Sequence, residues 1–203
     1  QRPAAFCVPV LGLVGCSASG KSTLCAELSA AAVVAADDFY KPRDACPRFD
    51  LAADIRWPTG VPDAFQERGN ADLNHPDSVD WAACADAVDA AAEKIVDAGG
   101  GGVVVVEGLL LLGAGAERVR DRCAQLVLLD DVYDDPAKQE VLWRRKWTRS
   151  GHLGKQSYKD RGVTADEYEA YWGYVSARWK EHGLDRVEAA GRPINRVDAH
   201  ADD

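Results

Sequence analysis

The 203 residues include 33 Asp and Glu against 24 Lys and Arg, for a formal net charge of −9, and 47% of them are apolar. This balance is typical of one globular domain and argues against a polynucleotide partner, because nucleic-acid grooves need a basic face. No apolar run approaches the roughly 18 residues that cross a bilayer, so we expect a soluble protein that does not bind membranes.

Four continuously apolar runs are predicted to form strands, at residues 8–15, 33–37, 103–107 and 125–130. Strands that lack polar alternation are buried on both faces. Segments of helical pattern lie between most of these runs. The sequence therefore predicts an α/β fold, with a parallel sheet and helices on both of its faces.

The helical segments carry start and stop signals. A helix with an apolar stripe from Trp81 to Ile95 is predicted to end at the glycine run 99–102. Asp135 and Pro136 fit the start of another helix. Thr164 and Glu167 form a predicted capping box at the start of a last one.

Two stretches do not follow these patterns. Residues 42–72 contain four prolines and are too long for a simple connector, so they form either a substrate-side lid or a disordered insertion. The C-terminal segment GRPINRVDAHADD is too short and polar for a final strand and helix, so we expect neither.

The cysteines and histidines favour an intracellular chain. Six cysteines include no C-x-x-C pair, and the four histidines are far apart in sequence. We expect reduced thiols in a cytoplasmic protein, and no structural zinc. A disulfide framework is the alternative.

Residues 15–22, GCSASGKS, match the phosphate-loop pattern G-x-x-x-x-G-K-[ST] between a predicted strand and a helix that begins near Lys21. Backbone N–H groups of such a loop surround phosphate oxygens, its lysine reaches the β- and γ-phosphates, and Ser22 can bind Mg²⁺. A chance glycine turn is the alternative. The expected ATP-binding residues are Gly15, Cys16, Ser17, Ala18, Ser19, Gly20, Lys21, Ser22 and Thr23.

Carboxylates end two of the predicted strands. Glu107 follows VVVV and fits the Mg²⁺ shell beside Ser22, with a helix cap or a rim acid as the alternative. Asp37 and Asp38 follow VVAA. A phosphoryl acceptor needs a base near the γ-phosphate, and if extended geometry continues through the pair, only one of the two acids faces the phosphate loop.

A basic cluster, WRRKWTR, occupies residues 143–149. Helical spacing puts Arg145, Lys146 and Arg149 near one face. A solvated basic face is the usual meaning of such a cluster. Beside a phosphate loop we instead expect a clamp on the phosphates, within a lid at residues 134–160.

Taken together, the segments GCSASGKST, ADDFYKP, HPDSVDW, VVVVEGLLLL and RRKWTRS resemble the nicotinamide riboside kinases, within the uridine kinase-like group of P-loop kinases. The resemblance implies a P-loop NTPase fold of the nucleoside and NMP kinase type, as a single domain over residues 1–203. It also implies that ATP, with Mg²⁺, phosphorylates the ribose 5′-hydroxyl of nicotinamide riboside to give nicotinamide mononucleotide. A uridine or cytidine kinase and a catalytically silent nucleotide-binding module are the alternatives.

The resemblance also implies residue roles. Asp37, selected over Asp38, acts on the 5′-hydroxyl, with Lys21 and Arg145 as further catalytic residues. Arg145 and Arg149 contact ATP, while Ser22, Asp37 and Glu107 form the metal site. The substrate-binding residues are Asp37, Asp38, Phe39, Tyr40, Leu73, Asn74 and Lys146.

The chain departs from the family at three of these positions. Leu73 and Asn74 replace an aromatic-Asp pair, and Lys146 stands where Arg is frequent. Tyr40 and a nearby Trp favour a cationic pyridinium over uridine, since cation–π contact is worth roughly 0.5–2 kcal/mol.

Overall fold

The computed structural model describes residues 8–67, 69–130, 135–149, 156–191 and 193–198. Its centre is a five-stranded sheet in the order β2-β3-β1-β4-β5, in which all four neighbouring pairs run parallel. The predicted α/β architecture with a parallel sheet is confirmed. The strands are β1 (Val10–Gly15), β2 (Ala32–Ala35), β3 (Val104–Gly108), β4 (Gln125–Asp130) and β5 (Ile194–Asp198).

Helices connect and flank these strands. No helix of the described ranges has the length and apolar character that spanning a membrane requires. The α-helices are α1 (Lys21–Glu27), α2 (Asp63–Gln66), α3 (Trp81–Asp97), α4 (Glu117–Arg122), α5 (Pro136–Thr148) and α6 (Ala165–His182). Single 3₁₀ turns are formed by Ala36–Phe39, Arg43–Ala45, Pro76–Ser78, Leu184–Arg186 and Glu188–Ala190.

Both faces of the sheet are covered. Val105 packs with Cys25 of α1 on one face, whereas Val104 and Val106 pack in the main core with Val88 of α3 on the other. Successive strand residues point to opposite faces. A continuous run of valines in β3 is therefore what two covered faces require.

The end of β2 differs from the prediction. The strand was expected at residues 33–37, but it ends at Ala35, and Ala36–Phe39 forms a 3₁₀ turn. The predicted end of the strand at residue 37 is therefore wrong, and extended geometry does not continue through Asp37 and Asp38.

Backbone hydrogen bonds explain this early end. The N–H of Lys41 donates to the C=O of Ser78 at 2.8 Å, and the N–H of Asp80 donates to the C=O of Phe39 at 2.8 Å. These bonds pair the chain after the turn with residues 78–80 instead of with β3. The competing partner lies about forty residues away, so local sequence could not show it.

Residues 42–72 form an ordered, packed segment wherever the structure describes them. The N–H of Phe49 donates to the C=O of Asn70 at 3.0 Å, which brings the two ends of the segment together. Phe65 is fully buried and stacks on Tyr158, with ring centroids 5.1 Å apart. The disordered alternative is therefore wrong, because the segment buries its own aromatic residues against the rest of the chain.

The expectation that the C-terminal segment forms no strand is also wrong. β5 pairs with β4 from Leu126↔Ile194 to Asp130↔Asp198. It is the outer strand of the sheet, and its residues Asn195 and Arg196 are exposed. An edge strand tolerates such polar residues, which is why its composition concealed it.

The helix boundary signals are confirmed. Asp135 caps α5 by accepting the N–H of Ala137 at 2.9 Å, and α3 ends at Asp97, before the glycine run. At the start of α6, the hydroxyl of Thr164 accepts the N–H of Glu167 at 3.3 Å, and the carboxylate of Glu167 accepts the N–H of Thr164 at 2.8 Å.

Candidate active site

A cavity of about 720 Å³ opens where β1, β2 and β3 end. Ligands of open parallel α/β sheets bind outside the carboxyl ends of the strands, so this is the expected place for a site. The lining residues are Ser17, Ala18, Gly20, Lys21, Ser22, Thr23, Ala35, Asp37, Asp38, Glu107, Gly108, Arg145, Lys146, Arg149, Gln156, Tyr158 and Arg161.

The loop between β1 and α1 has left-handed backbone at two positions, Ala18 with φ 67° and Gly20 with φ 92°. Alternation of this kind turns successive N–H groups toward one side and creates a nest for anions. The ammonium of Lys21 donates to the C=O groups of Gly15 and Cys16, both at 3.0 Å. A cation therefore lies against the loop that the phosphate pattern predicted.

Two residues of this loop act through size and backbone. A Cβ at Gly15 would lie 2.6 Å from the hydroxyl oxygen of Ser19 and 3.1 Å from the Cβ of Leu129, so only glycine allows this close approach. Cys16 is buried, and burial raises the pKa of its thiol to about 11. The thiol stays neutral, which agrees with the interpretation that Cys16 serves through its backbone.

A hydroxyl and a carboxylate that both line the cavity are hydrogen-bonded to each other. The Oγ of Ser22 donates to the Oε1 of Glu107 at 2.9 Å. Glu107 is placed there by sheet register, since it is opposite Leu13 of β1 and Ala35 of β2. Asp37 also lines the cavity.

These oxygen groups fit a hard cation. Mg²⁺ prefers hydroxyl, carboxylate, water and phosphate oxygens and keeps several non-protein ligands. Within the described residues, no group of three or more His, Cys, Asp or Glu is placed to hold a metal ion alone. Ser22 and Glu107, with Asp37 lining the same cavity, therefore suit a magnesium ion that shares its shell with phosphate and water.

The basic cluster is presented by the end of α5. Leu142 and Trp143 are buried in the core, which fixes the helix, and Arg145, Lys146 and Arg149 line the cavity. Cations near a helix C-terminus also interact favourably with the helix dipole. The structure thus brings the predicted lid cations and the phosphate loop to one cavity.

Among the lining residues that were given no individual role by the sequence are Gln156, Tyr158 and Arg161. The guanidinium of Arg161 donates to the C=O of Ala64 at 3.0 Å and to the carboxylate of Glu67 at 2.7 Å. These residues follow the α5 helix without a recognisable motif. The only signal was that the predicted lid, residues 134–160, includes the first two.

Four residues predicted to bind substrate are not among the lining residues: Phe39, Tyr40, Leu73 and Asn74. They belong to two segments, residues 39–40 and 73–74. Tyr40 forms an antiparallel bridge with Val79, and the N–H of Asn74 donates to the carboxylate of Asp72 at 3.0 Å. Their role in substrate binding stays a prediction.

The five cysteines within the described residues are buried and have free thiols. This agrees with the predicted reduced state for Cys16, Cys25, Cys46, Cys84 and Cys123. Cys7 lies outside the described residues.

Among the solved structures that resemble this chain, two distant likenesses are to proteins named as kinases. One is to a protein named as a fructose transport system kinase from Silicibacter sp. TM1040, with TM-score 0.48 and 18% identity over 97% of this chain and 92% of the other. The second is to a sugar kinase from Janibacter sp. HTCC2649, with TM-score 0.40 and 18% identity over 90% of this chain and 98% of the other. Both scores are low, so neither likeness adds to what this chain's own residues indicate.

No protein-family model matches the chain, and the search of curated proteins gave no match.

Proposed function

We propose that the chain is a P-loop kinase that transfers a phosphoryl group from ATP to a hydroxyl of a small nucleoside. The observation that carries the proposal is the single cavity in which the phosphate loop, the Ser22–Glu107 pair, Asp37 and the cations of α5 converge. Phosphoryl transfer needs these parts together: a phosphate cradle, a metal shell, an orienting carboxylate and positive charge around the transferred group.

The donor phosphates bind to the loop between β1 and α1. Backbone N–H groups of the anion nest donate to phosphate oxygens, and Lys21 exchanges its carbonyl partners for the β- and γ-phosphates. Ser22 and Glu107 hold the metal shell. When bound, Mg²⁺ neutralises the charge that develops between the phosphates.

Asp37 orients the acceptor hydroxyl and takes its proton. It lines the same cavity as Lys21 and Ser22, and a carboxylate within hydrogen-bond reach of the acceptor hydroxyl can take its proton. Arg145, the third proposed catalytic residue, stabilises the charge spread over the transferred group, because preorganised cations act strongly where water is excluded. Arg149 shares this clamp, and Lys146 contributes on the acceptor side.

We propose nicotinamide riboside as the acceptor. The segment DDFYKP supports this choice by its resemblance to the riboside kinases. Asp37 and Asp38 add negative charge to the cavity, and Tyr158 supplies an aromatic surface there. A pyridinium cation gains roughly 0.5–2 kcal/mol over such a surface.

One observation favours a neutral base, and with it a uridine or cytidine kinase. The guanidinium of Arg161 lies 5.9 Å from the centroid of the Tyr158 ring. A fixed cation at this ring competes with a pyridinium and repels it. A neutral pyrimidine meets no such repulsion.

A panel of nucleosides with Mg-ATP tests these alternatives. Nicotinamide riboside, uridine and cytidine are supplied separately, ADP release is followed, and the product is identified by mass as a 5′-phosphate. Turnover with nicotinamide riboside and not with the pyrimidine nucleosides supports the proposal, and the reverse pattern selects the uridine kinase. ATP binding without turnover of any nucleoside overturns the kinase and leaves a binding module.

A further inference from the structure

A buried carboxylate lies outside the cavity, at the end of the 42–72 segment. Asp72 is 1% exposed. One of its oxygens accepts the N–H of Asn74 at 3.0 Å, and its Oδ2 lies 3.3 Å from the Nε of Arg178 on α6. The phosphate chemistry described above uses neither residue of this pair.

The pair is embedded in further polar contacts. Arg178 donates to the carboxylate of Glu181 at 2.7 Å and to the hydroxyl of Tyr174 at 3.4 Å. Tyr174 in turn stacks on Phe49, with ring centroids 4.6 Å apart. Contacts other than the one with Asp72 therefore help to fix the orientation of the Arg178 guanidinium.

Burying a carboxylate is unfavourable unless it is paired and hydrogen-bonded, and a buried ion pair adds little net stability over apolar residues. Such a pair contributes more to fixing the relative positions of the two side chains than to the free energy of folding. The Asp72–Arg178 pair fixes the segment that begins at Asp72 relative to α6.

Hydrogen bonds attach that segment to the chain beside the turn that carries Asp37. The hydroxyl of Ser78 donates to the C=O of Asp72 at 2.5 Å, and the C=O of Ser78 accepts the N–H of Lys41 at 2.8 Å. The N–H of Asp80 donates to the C=O of Phe39 at 2.8 Å. The chain on the C-terminal side of the turn that carries Asp37 is thereby attached to the segment that Asp72 anchors.

We infer that Asp72 and Arg178 are positioning residues for Asp37: their buried pair holds residues 72–80 in place, and those residues hold the turn Ala36–Phe39 against the cavity. The inference rests on the proposed function, since Asp37 has a reaction to serve only in a kinase. The phosphate loop belongs to β1 and α1 and is not part of this chain of contacts. Loss of the pair should therefore affect transfer and leave ATP binding in place.

The test compares Asp72→Asn and Arg178→Gln with a control pair on the surface. Arg122 and Asp89 join α4 to α3 at 2.6 Å, away from the cavity, so Asp89→Asn and Arg122→Gln supply the control. We expect kcat to fall about 10- to 10²-fold in each Asp72 or Arg178 variant, the range that a displacement of about 1 Å costs. The KM for ATP should stay within about twofold of the unaltered protein in all variants, because the loop is untouched.

Two further variants separate positioning from general destabilisation. Arg178→Lys keeps a cation without the guanidinium geometry and should recover part of kcat. The double variant Asp72→Asn with Arg178→Gln should lose about as much kcat as either single variant. Each single substitution already breaks the Asp72–Arg178 pair, so the second has no further interaction of this pair to remove. If Asp72→Asn fails to fold, the kcat of Arg178→Lys tests the positioning role instead. Retained ATP affinity then shows that the fold of this variant is intact.

The possible failures are distinguishable. Suppose that the unaltered protein turns over a nucleoside. If the variants then keep the same kcat, or lose kcat and ATP affinity equally, the positioning role alone is overturned. No turnover by the unaltered protein with any nucleoside overturns the proposed function and the positioning role together.

Discussion

Asp37 and Asp38 lie on consecutive positions of a 3₁₀ turn and both line the cavity. With three residues per turn, successive side chains diverge by about 120°. The two acids therefore cannot take the same position relative to the phosphate loop. The alternation of side chains along a strand also predicted that the two acids differ in position, although the chain there is a 3₁₀ turn and not a strand.

We predict that Asp37→Asn lowers kcat by about 10²- to 10⁴-fold, because the amide keeps the shape of the carboxylate but cannot accept the proton. Asp38→Asn should mainly change the KM for the nucleoside. Steady-state kinetics with saturating Mg-ATP measure both, and ATP affinity in each variant serves as the control. A larger loss of kcat in Asp38→Asn would assign the base to Asp38.

Individual site residues were predictable where a short local pattern defines them. The phosphate loop is such a case, since the strand, the loop and the helix that begins at Lys21 are contiguous. Arg161 was not predictable, because its partners Ala64 and Glu67 are more than ninety residues earlier. Glu107 is an intermediate case. Its strand could be predicted from the apolar run that precedes it, but its contact with Ser22 depends on the register of the sheet.

At the scale of secondary structure, buried elements were predicted better than exposed ones. β4 spans Gln125–Asp130, as its continuous apolar run indicated. β5 was missed because an edge strand need not be apolar, and within the described residues it pairs with β4 on one side. A strand buried on both faces has a continuous apolar run that is visible in the sequence, whereas a strand at the edge of a sheet need not have one.

The capping box of α6 gives a prediction at this scale. Thr164→Ala removes the hydroxyl that accepts the N–H of Glu167, so we expect the free energy of unfolding to fall by about 1 kcal/mol. Thr164→Ser keeps an acceptor and should lose much less. Urea denaturation of the two variants and the unaltered protein measures the difference; equal losses in both variants would show that the hydroxyl is not the stabilising group.

For the whole molecule, the 42–72 segment is attached to α6 by aromatic packing as well as by polar contacts. Phe65 contacts Tyr171, with ring centroids 4.6 Å apart, and Thr59 donates to Glu167 at 2.6 Å. Hydrogen bonds from Thr59 and then from Thr164 lower the pKa of the Glu167 carboxyl. The sequence predicted the start of α6 from its capping box, but the partners of its aromatic residues come from a segment without a periodic pattern.

Stability should depend on pH through His182. Its ring is 7% exposed, and burial lowers the pKa of the imidazole, opposed by Glu181 and reinforced by His75 and Arg178. In the unfolded chain this histidine has an ordinary pKa of about 6.5. As pH falls, it is therefore protonated in the unfolded chain at a higher pH than in the folded chain. The stabilising contribution of neutral His182 is therefore complete above this pH and is lost as pH falls below it.

We predict that the unaltered protein loses more Tm between pH 7.5 and pH 5.5 than His182→Gln does. Carboxylates whose pKa is lowered by groups other than His182, such as Asp89 beside Arg122, affect both proteins and cancel in the comparison. Thermal melts at the two pH values provide the measurement. The same loss of Tm in both proteins would show that His182 does not contribute.

The measurement that tests the central claim most directly is nucleoside-dependent ADP release in Mg-ATP, by the unaltered protein and by Lys21→Ala. Lys94→Ala is the matched control, since Lys94 is an exposed lysine of α3 outside the cavity. Loss of the Lys21 charge from the β- and γ-phosphates should lower kcat by about 10²- to 10³-fold with the thermal melt unchanged, while Lys94→Ala stays fully active. Retained turnover in Lys21→Ala would contradict the assignment of this cavity as the site of phosphoryl transfer.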